Sequence, residues 1–406
     1  MNKESQKQLK GKKMFKNIFR KIRLCMVVAA LCMFMPASSW ALLKSEDIPP
    51  LDLKVKMSKE QFYNISELRN IKFDADPGLS YKVRLPFNWI ELPSPRTESI
   101  SLNAELFSDI SNFVSPARGD IRSRFRVRSL ELKHLVSAEN WFLNYTLSIG
   151  TTVDGIKIKS DRSLEAQYTV LDGGQTYIVR ASAQITGSRI VVAEYLVPFE
   201  YALEERDQQI WIITSFLLTS PNTTPIEETD TYSFVDIVKF DYPQSWILYS
   251  PPISTIDRME ASILNLKSIT KDQIQKMDLD KAKLDGRVDV KVISKAMGTS
   301  EADEVTELKR ELKTKNLDIG NLIGPVKGVE LHPGIISSKI DAYHIESGDG
   351  KLIRYEIWVG LLETKGRYYV ISLITVGREE KFYVWAQNIE TFKYVLKTLS
   401  PVNDMN

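Results

Sequence analysis

Hydrophobic and polar residues alternate in two stretches of the chain that end the same way. Tyr81, Val83 and Leu85 alternate with Lys82 and Arg84; Pro86 follows and, three residues on, Trp89. Val238, Phe240 and Tyr242 alternate with Lys239 and Asp241; Pro243 and Trp246 follow. A period of two predicts a strand with one buried face. Proline has no N–H to give to a ladder and ends the strand. The tryptophan just beyond predicts a plug at the edge of a core. Each stretch therefore reads as strand, turn and aromatic plug.

The likeness continues in chain order. RFRVRS from Arg124 matches RVDVKV from Arg287, each an alternating strand. A helix start follows each, at Ser137 and Ser300, because a serine side chain accepts a free N–H of the first turn. AQYTVLDGG from Ala166 matches AYHIESGDG from Ala342, and both predict a strand entering a glycine-rich hairpin turn. Long hairpins follow from Tyr177 and Ile353, and a closing helix precedes Pro221 and Pro401. The distance between matched residues rises from 157 at the tryptophans to 180 at the last prolines, as small loop insertions would make it. The chain is expected to hold one folding unit twice.

The expected division is a signal peptide over 1–41, an extension over 42–78, a first unit over 79–221, a linker over 222–234 and a second unit over 235–402. The linker expectation rests on residues 219–231, with two prolines, five threonines and three acids. In the extension, LDLKVKM predicts a strand and SKEQFYNISELR a helix capped by Ser58. Helices mixed with hairpins predict an α+β fold: two tandem antiparallel-sheet domains with packed helices.

This order of elements, with Pro86 and Trp89 in one copy and Pro243 and Trp246 in the other, resembles the PsbP-like fold, which includes DcrB-type periplasmic proteins. The resemblance covers Leu79–Pro221 and Val235–Pro401. It implies a sandwich in each copy and a binding or assembly role without catalytic residues.

Charge and cysteine usage add a compartment. Residues 1–23 hold nine Lys/Arg and one Glu. Removing them from the 54 basic and 52 acidic residues of the whole chain leaves 45 and 51, a mildly acidic body. That argues against nucleic-acid binding. The apolar run Leu24–Met35 follows, then PASSWA with small residues at Ser39 and Ala41. This is the pattern of a secretory signal peptide cut after Ala41, with Met14 an alternative start. The twelve apolar residues are short of the roughly 20 that span a bilayer. An uncleaved segment would be the one membrane contact. Both cysteines, Cys25 and Cys32, lie inside the run, so the mature chain would have no disulfide and no thiolate. The sequence therefore predicts an exported protein, periplasmic or extracellular.

Candidate chemistry is sparse. Arg122, Arg124, Arg126 and Arg128 alternate, and on a strand they share one face at about 7 Å spacing. They read either as a docking stripe for an anionic partner or as charges met by acids on a neighbouring strand. The stretch ENWFLNYTLSIG spreads Trp141, Phe142, Leu143, Tyr145, Leu147 and Ile149 round most of a helix. Such a helix needs cover on more than one side, from the other unit or from a partner protein. The four arginines, Trp141 and Tyr145 are the candidate partner contacts. His134, His332 and His344 lie in separate segments, and His344 aligns with Tyr168, which predicts a packing role. No metal, phosphate-loop, dinucleotide or nucleophile-elbow motif occurs. No cofactor, metal or catalytic residue is expected. Asn64, Asn144 and Asn222 sit in sequons that matter only in a glycosylating host.

These readings converge on a non-catalytic exported binding or assembly protein, an accessory of an envelope, secretion or conjugation complex with an envelope protein as partner. Two alternatives stay open. One is a hydrolase of envelope polymers. The other is a carrier or chaperone for a lipid or apolar peptide, which would need an apolar cavity between sheet and helix.

Overall fold

The computed structural model describes residues 44–93, 99–100, 106–250, 255–265, 285–314, 317–347 and 355–402. The expected signal peptide, Met14, the cut after Ala41 and both cysteines lie outside the described residues.

In the first half the elements run α1 (Lys59–Asn64), β1 (Ser66–Ile71), β2 (Tyr81–Pro86), β3 (Ile90–Leu92), β4 (Ser99–Ile100), β5 (Leu106–Val114) and β6 (Arg124–Glu131). They continue with α2 (Ala138–Ser148), β7 (Val153–Ser160), β8 (Ser163–Asp172), β9 (Gln175–Thr186), β10 (Arg189–Pro198), α3 (Arg206–Ser215) and β11 (Leu217–Leu218). The second half runs β12 (Thr229–Phe234), β13 (Val238–Pro243), β14 (Ile247–Tyr249), β15 (Arg258–Asn265), β16 (Gly286–Ser294) and α4 (Glu301–Thr314). It closes with β17 (Leu317–Pro325), β18 (Ser337–Ser347), β19 (Tyr355–Glu363), β20 (Arg367–Val376), α5 (Phe382–Thr398) and β21 (Ser400–Pro401).

The two halves share one antiparallel topology. The large sheets are ordered β3-β5-β6-β10-β9-β8-β7 and β14-β15-β16-β20-β19-β18-β17. The small sheets are β1-β2-β11 and β12-β13-β21. Each half is an α+β sandwich in which the small sheet and the closing helix cover one face of the large sheet. In the first half that layer buries Tyr81, Val83, Leu85, Phe125, Val127 and Tyr195, with Ile212 and Phe216 from the α3 side. The opposite face is covered by α2 in the first half and by α4 in the second, where Leu308 and Leu312 meet Ile357 and Val370. Trp89 and Trp246 are both 4% exposed, each plugging the end of its core.

Pairing shows where each unit starts. Ser66–Ile71 pairs with Tyr81–Pro86, and Thr229–Phe234 pairs with Val238–Pro243. Both first strands lie upstream of the expected boundaries, one in the extension and one in the linker. The expected helix from Ser58 stops at Asn64 despite its capping box with Gln61, because Ser66 onward joins a ladder. The expected strand LDLKVKM does not form. Its backbone is satisfied elsewhere: Leu51 N donates to Ile156 O at 3.0 Å, and Lys56 N and Met57 N donate to Asp207 Oδ2 at 2.7 and 2.8 Å. The extension is thus docked on the first half, with Phe62 stacked on Trp211.

The pairing also fixes which residues are equivalent. Leu196 faces Arg124 as Ile374 faces Arg287, so the two arginine-led strands match as expected. The closing match is shifted by three residues. Leu218 pairs with Tyr81 where Pro401 pairs with Val238, so Leu218, not Pro221, is the counterpart of Pro401. In the middle, Tyr168 lies opposite Val179 and Tyr343 opposite Ile357. Tyr343 is therefore the counterpart of Tyr168, and His344 belongs to the other face. A slip of one residue on a strand reverses the side.

One substitution tests this equivalence. Ser123 Oγ donates to the buried Glu205 at 2.6 Å. The matching pair is Gly286 and Asn388, whose amide donates to Asp285 O and Thr375 Oγ1, both at 2.8 Å. A Cβ on Gly286 would stand 2.6 Å from Asn388 Nδ2. Gly286→Ala is expected to destabilise the second half by about 1–3 kcal/mol, read as a lowered urea midpoint.

Candidate functional site

The arginines on β6 do share one face, and α2 covers that face at Arg128. Glu194 sits directly opposite Arg126 on β10 and is fully buried. Its Oε2 accepts from Arg126 Nε at 2.6 Å and from Arg128 at 2.9 Å. Its Oε1 accepts from Tyr145 on α2 at 3.3 Å and from Tyr168 on β8. Arg128 also donates to the Tyr145 hydroxyl at 2.8 Å and lies over the Phe107 ring at 4.3 Å. Burial opposes the Glu194 charge, but Arg126, Arg128 and the Tyr168 hydroxyl together bring its pKa down to about 2. Burial and the Glu194 charge push the Tyr168 and Tyr145 hydroxyls up.

The expected docking stripe is therefore corrected at Arg126 and Arg128, whose charges Glu194 answers. Arg122 precedes the strand and is exposed. Arg124 is half-exposed and paired with Asp172 at 3.3 Å. Arg126 and Arg128 are held inward by a carboxylate of the next strand. Trp141 and Tyr145 are corrected as well. They are 1% and 5% exposed, stacked on each other at 5.4 Å, and they fill the space between helix and sheet. α2 also lies against α5 of the second half.

The same place in the second half is built differently. From the shared caps at Ser137 and Ser300, Trp141 corresponds to Glu304 and Tyr145 to Leu308. From the strand register, Arg126 corresponds to Asp289 and Glu194 to Ser372. Arg287 pairs along its own strand with Asp289 at 2.7 Å, and Lys291 pairs with Glu311 of α4. Without the aromatic filling a cavity of about 190 Å³ remains beneath α4. Its charged side chains already answer one another.

A larger concavity lies at the end of the first half marked by Pro86 and Trp89. It is a groove of about 520 Å³ lined by Asn64, Ile65, Phe87, Asn88, Trp89 and Arg118, among others. The turn after β2 is tied to the turn before β1 by Phe87 N donating to Ile65 O at 3.3 Å. That tie leaves both side chains outward, with Phe87 59% and Ile65 43% exposed. The floor is rigid. Trp89 stacks on Tyr195 at 5.3 Å, and Tyr195 donates to Glu205 at 2.8 Å. Glu205 also meets Arg118 at 3.3 Å. With Ser123 and Tyr195 on one oxygen and Arg118 on the other, this carboxylate serves as a structural anchor.

The histidines stay apart. His134 stands 3.8 Å from Glu227, His332 Nδ1 accepts from Gly334 N at 3.0 Å, and His344 is exposed on β18. Among the described residues no group of three or more His, Cys, Asp or Glu is placed to hold a metal, and no helix is long and apolar enough to cross a membrane.

No protein-family model matches the chain, and no curated protein matches it in sequence. The chain is similar to solved structures over part of its length. The solution structure of PsbP (CyanoP) from Synechocystis sp. PCC 6803 is 12% identical and covers 38% of this chain and 95% of that chain, with a TM-score of 0.29. LpqN, involved in cell envelope biogenesis of Mycobacterium tuberculosis, is 12% identical over 40% of this chain and 98% of that one, at a TM-score of 0.27. The immunity protein TplEi of the T6SS from Pseudomonas aeruginosa is 9% identical over 82% of this chain and 97% of that one, at a TM-score of 0.20. A PsbP structure, of the fold the sequence resembles, is thus among those the chain is similar to.

The buried carboxylate makes acid stability a readout. The Glu194 pKa in the fold lies below its ordinary 4.5. Its contribution is therefore complete above that value and is lost as pH falls toward 2. Between pH 5 and 2 the wild type is expected to lose about 3 kcal/mol of stability through this group. Glu194→Gln, which takes the carboxylate from the buried Arg128 and the part-buried Arg126, is expected to cost about 3–5 kcal/mol near neutrality and to flatten that acid limb in urea titrations.

Proposed function

We propose that the protein is a non-catalytic binding protein of the cell envelope, and that it holds another protein at the Phe87 end of its first half. The observation that carries this reading is a contrast between the copies. Ile65 and Phe87 stand exposed beside the groove, whereas the residues that match them by strand register are Glu228 and Gln244. One fold was kept twice and one end made apolar once. An exposed apolar patch of this kind marks an interaction site.

The other features fit a binder. Between sheet and α2, where a lipid carrier would keep its cavity, Trp141, Phe142 and Tyr145 are packed. The groove's carboxylate is held by three donors, which suits a rigid floor better than proton transfer. Export rests on the basic, apolar and small-residue pattern at the N-terminus, and within the envelope the protein would act as an accessory of an assembled complex.

The test places a photocrosslinking residue at position 87, and separately at 244, in producing cells. A discrete protein adduct from 87 and none from 244 is expected. Adducts to lipid alone, or equal adducts from both positions, would overturn the reading.

A further inference from the structure

We infer that the partner presents an acidic, apolar, extended segment, which lies in the groove and continues over the outer face of the small sheet. This rests on the reading of the Phe87 end as a protein-binding site and adds the chemistry of what binds there.

The apolar surface does not stop at the groove. Tyr63 precedes Asn64 and Ile65, and its ring lies 3.8 Å beneath the Arg84 guanidinium. Leu68 is opposite Arg84 on the paired strand, and Leu217 is opposite Lys82 on the other side. Leu68 is 53% and Leu217 60% exposed. Phe87, Ile65, Tyr63, Leu68 and Leu217 thus form one strip along the small sheet, with two cations set into it.

Neither charge is neutralised by an ion pair among the described residues. Arg84 donates one nitrogen to Ser66 O at 3.2 Å and rests its face on Tyr63. Neither Arg84 nor Lys82 pairs with a carboxylate among the described residues. The nearby Glu67 is taken by Arg69 on its own strand. A guanidinium held flat on a ring and anchored along one edge presents its other nitrogens as a fork, which matches a carboxylate. The complementary charge is acidic.

The second half is an internal control. Leu68 corresponds to Thr231, Arg84 to Asp241 and Leu217 to Ser400. There Thr231 donates to Asp241 at 2.6 Å, and the face is polar and closed by its own hydrogen bonds. At matching places the first half carries a cation where the second carries a carboxylate, and two leucines where the second carries Thr231 and Ser400.

The shape favours a polypeptide over an anionic bilayer. A groove of about 520 Å³ receives a side chain, whereas a lipid surface presents none. The amides of Asn64, Asn88 and Gln208 line it and can pair with peptide groups.

The probes are synthetic peptides that alternate Phe or Leu with Asp, the same peptides with Lys in place of Asp, and vesicles of phosphatidylglycerol and phosphatidylcholine. Binding to the full mature chain is followed by fluorescence anisotropy and vesicle sedimentation. The Asp peptide is expected to bind about tenfold more tightly than the Lys peptide. Arg84→Asp, the residue of the second half, should abolish that preference, and Phe87→Gln should weaken both peptides. Asp241→Arg should change neither. Far-UV circular dichroism and urea midpoints should be unchanged in these surface variants. No binding of either peptide, or binding indifferent to Arg84→Asp, would overturn the inference, as would vesicle binding that Arg84→Asp removes. Peptides weakened by Phe87→Gln without any charge preference would sink the acidic partner and leave the binding site standing.

Discussion

A carboxylate fully buried in a sheet must be answered, and in the first half the answer shapes the domain. Glu194 takes two guanidinium groups from the next strand and two phenol hydroxyls from elsewhere. An ion taken out of water costs several kcal/mol unless such partners are in place. The partners come from β6, β8 and α2, so the network fixes helix against sheet. Beyond these contacts α2 lies against α5.

The second half shows what the same topology does without that constraint. Ser372 replaces Glu194, Leu308 replaces Tyr145, and the charges on β16 pair among themselves or with α4. The helix there is amphipathic and rests on the sheet through Leu308 and Leu312. Duplication preserved strand order and pairing, which backbone hydrogen bonds impose. It released the interior charges and the end surfaces, which only side chains specify. That freedom is where the halves differ, and the proposed binding strip around Phe87 lies there. The edges differ as well. Ile156 on β7 exchanges hydrogen bonds with the Pro49–Leu51 segment, whereas its counterpart by register is Pro325, which has no N–H to offer.

Much of this was legible in the sequence because strands write their own period. The Pro86 and Trp89 stretch and its repeat mark equivalent strand ends, and the arginine-led strands align by register as they do by eye. Register itself was less legible. His344 looked like the counterpart of Tyr168, but a single residue on a strand decides the face, and Tyr343 takes the place. The first strand of each half was hidden because Ser66–Ile71 and Thr229–Phe234 carry few apolar residues and face the core weakly. The arginine row was seen, and its alternation correctly put its strand members on one face. Which face is covered depends on α2, which the local pattern does not show. Glu194 gave one signal: it is the lone charge inside IVVAEYLV, and a lone charge in an apolar strand calls for a partner. The groove at Phe87 gave none, since its exposure comes from a turn-to-turn contact between segments far apart in sequence.

The account stands on Arg126 belonging to the interior rather than to a partner. A double-mutant cycle with Arg126→Met and Glu194→Gln, followed by urea unfolding, measures this directly. A coupling of about 2 kcal/mol or more between the two positions is predicted for a fully buried carboxylate and a part-buried guanidinium in one network. Additive effects, with Arg126→Met leaving stability unchanged, would mean that the guanidinium is free for another molecule and would contradict it.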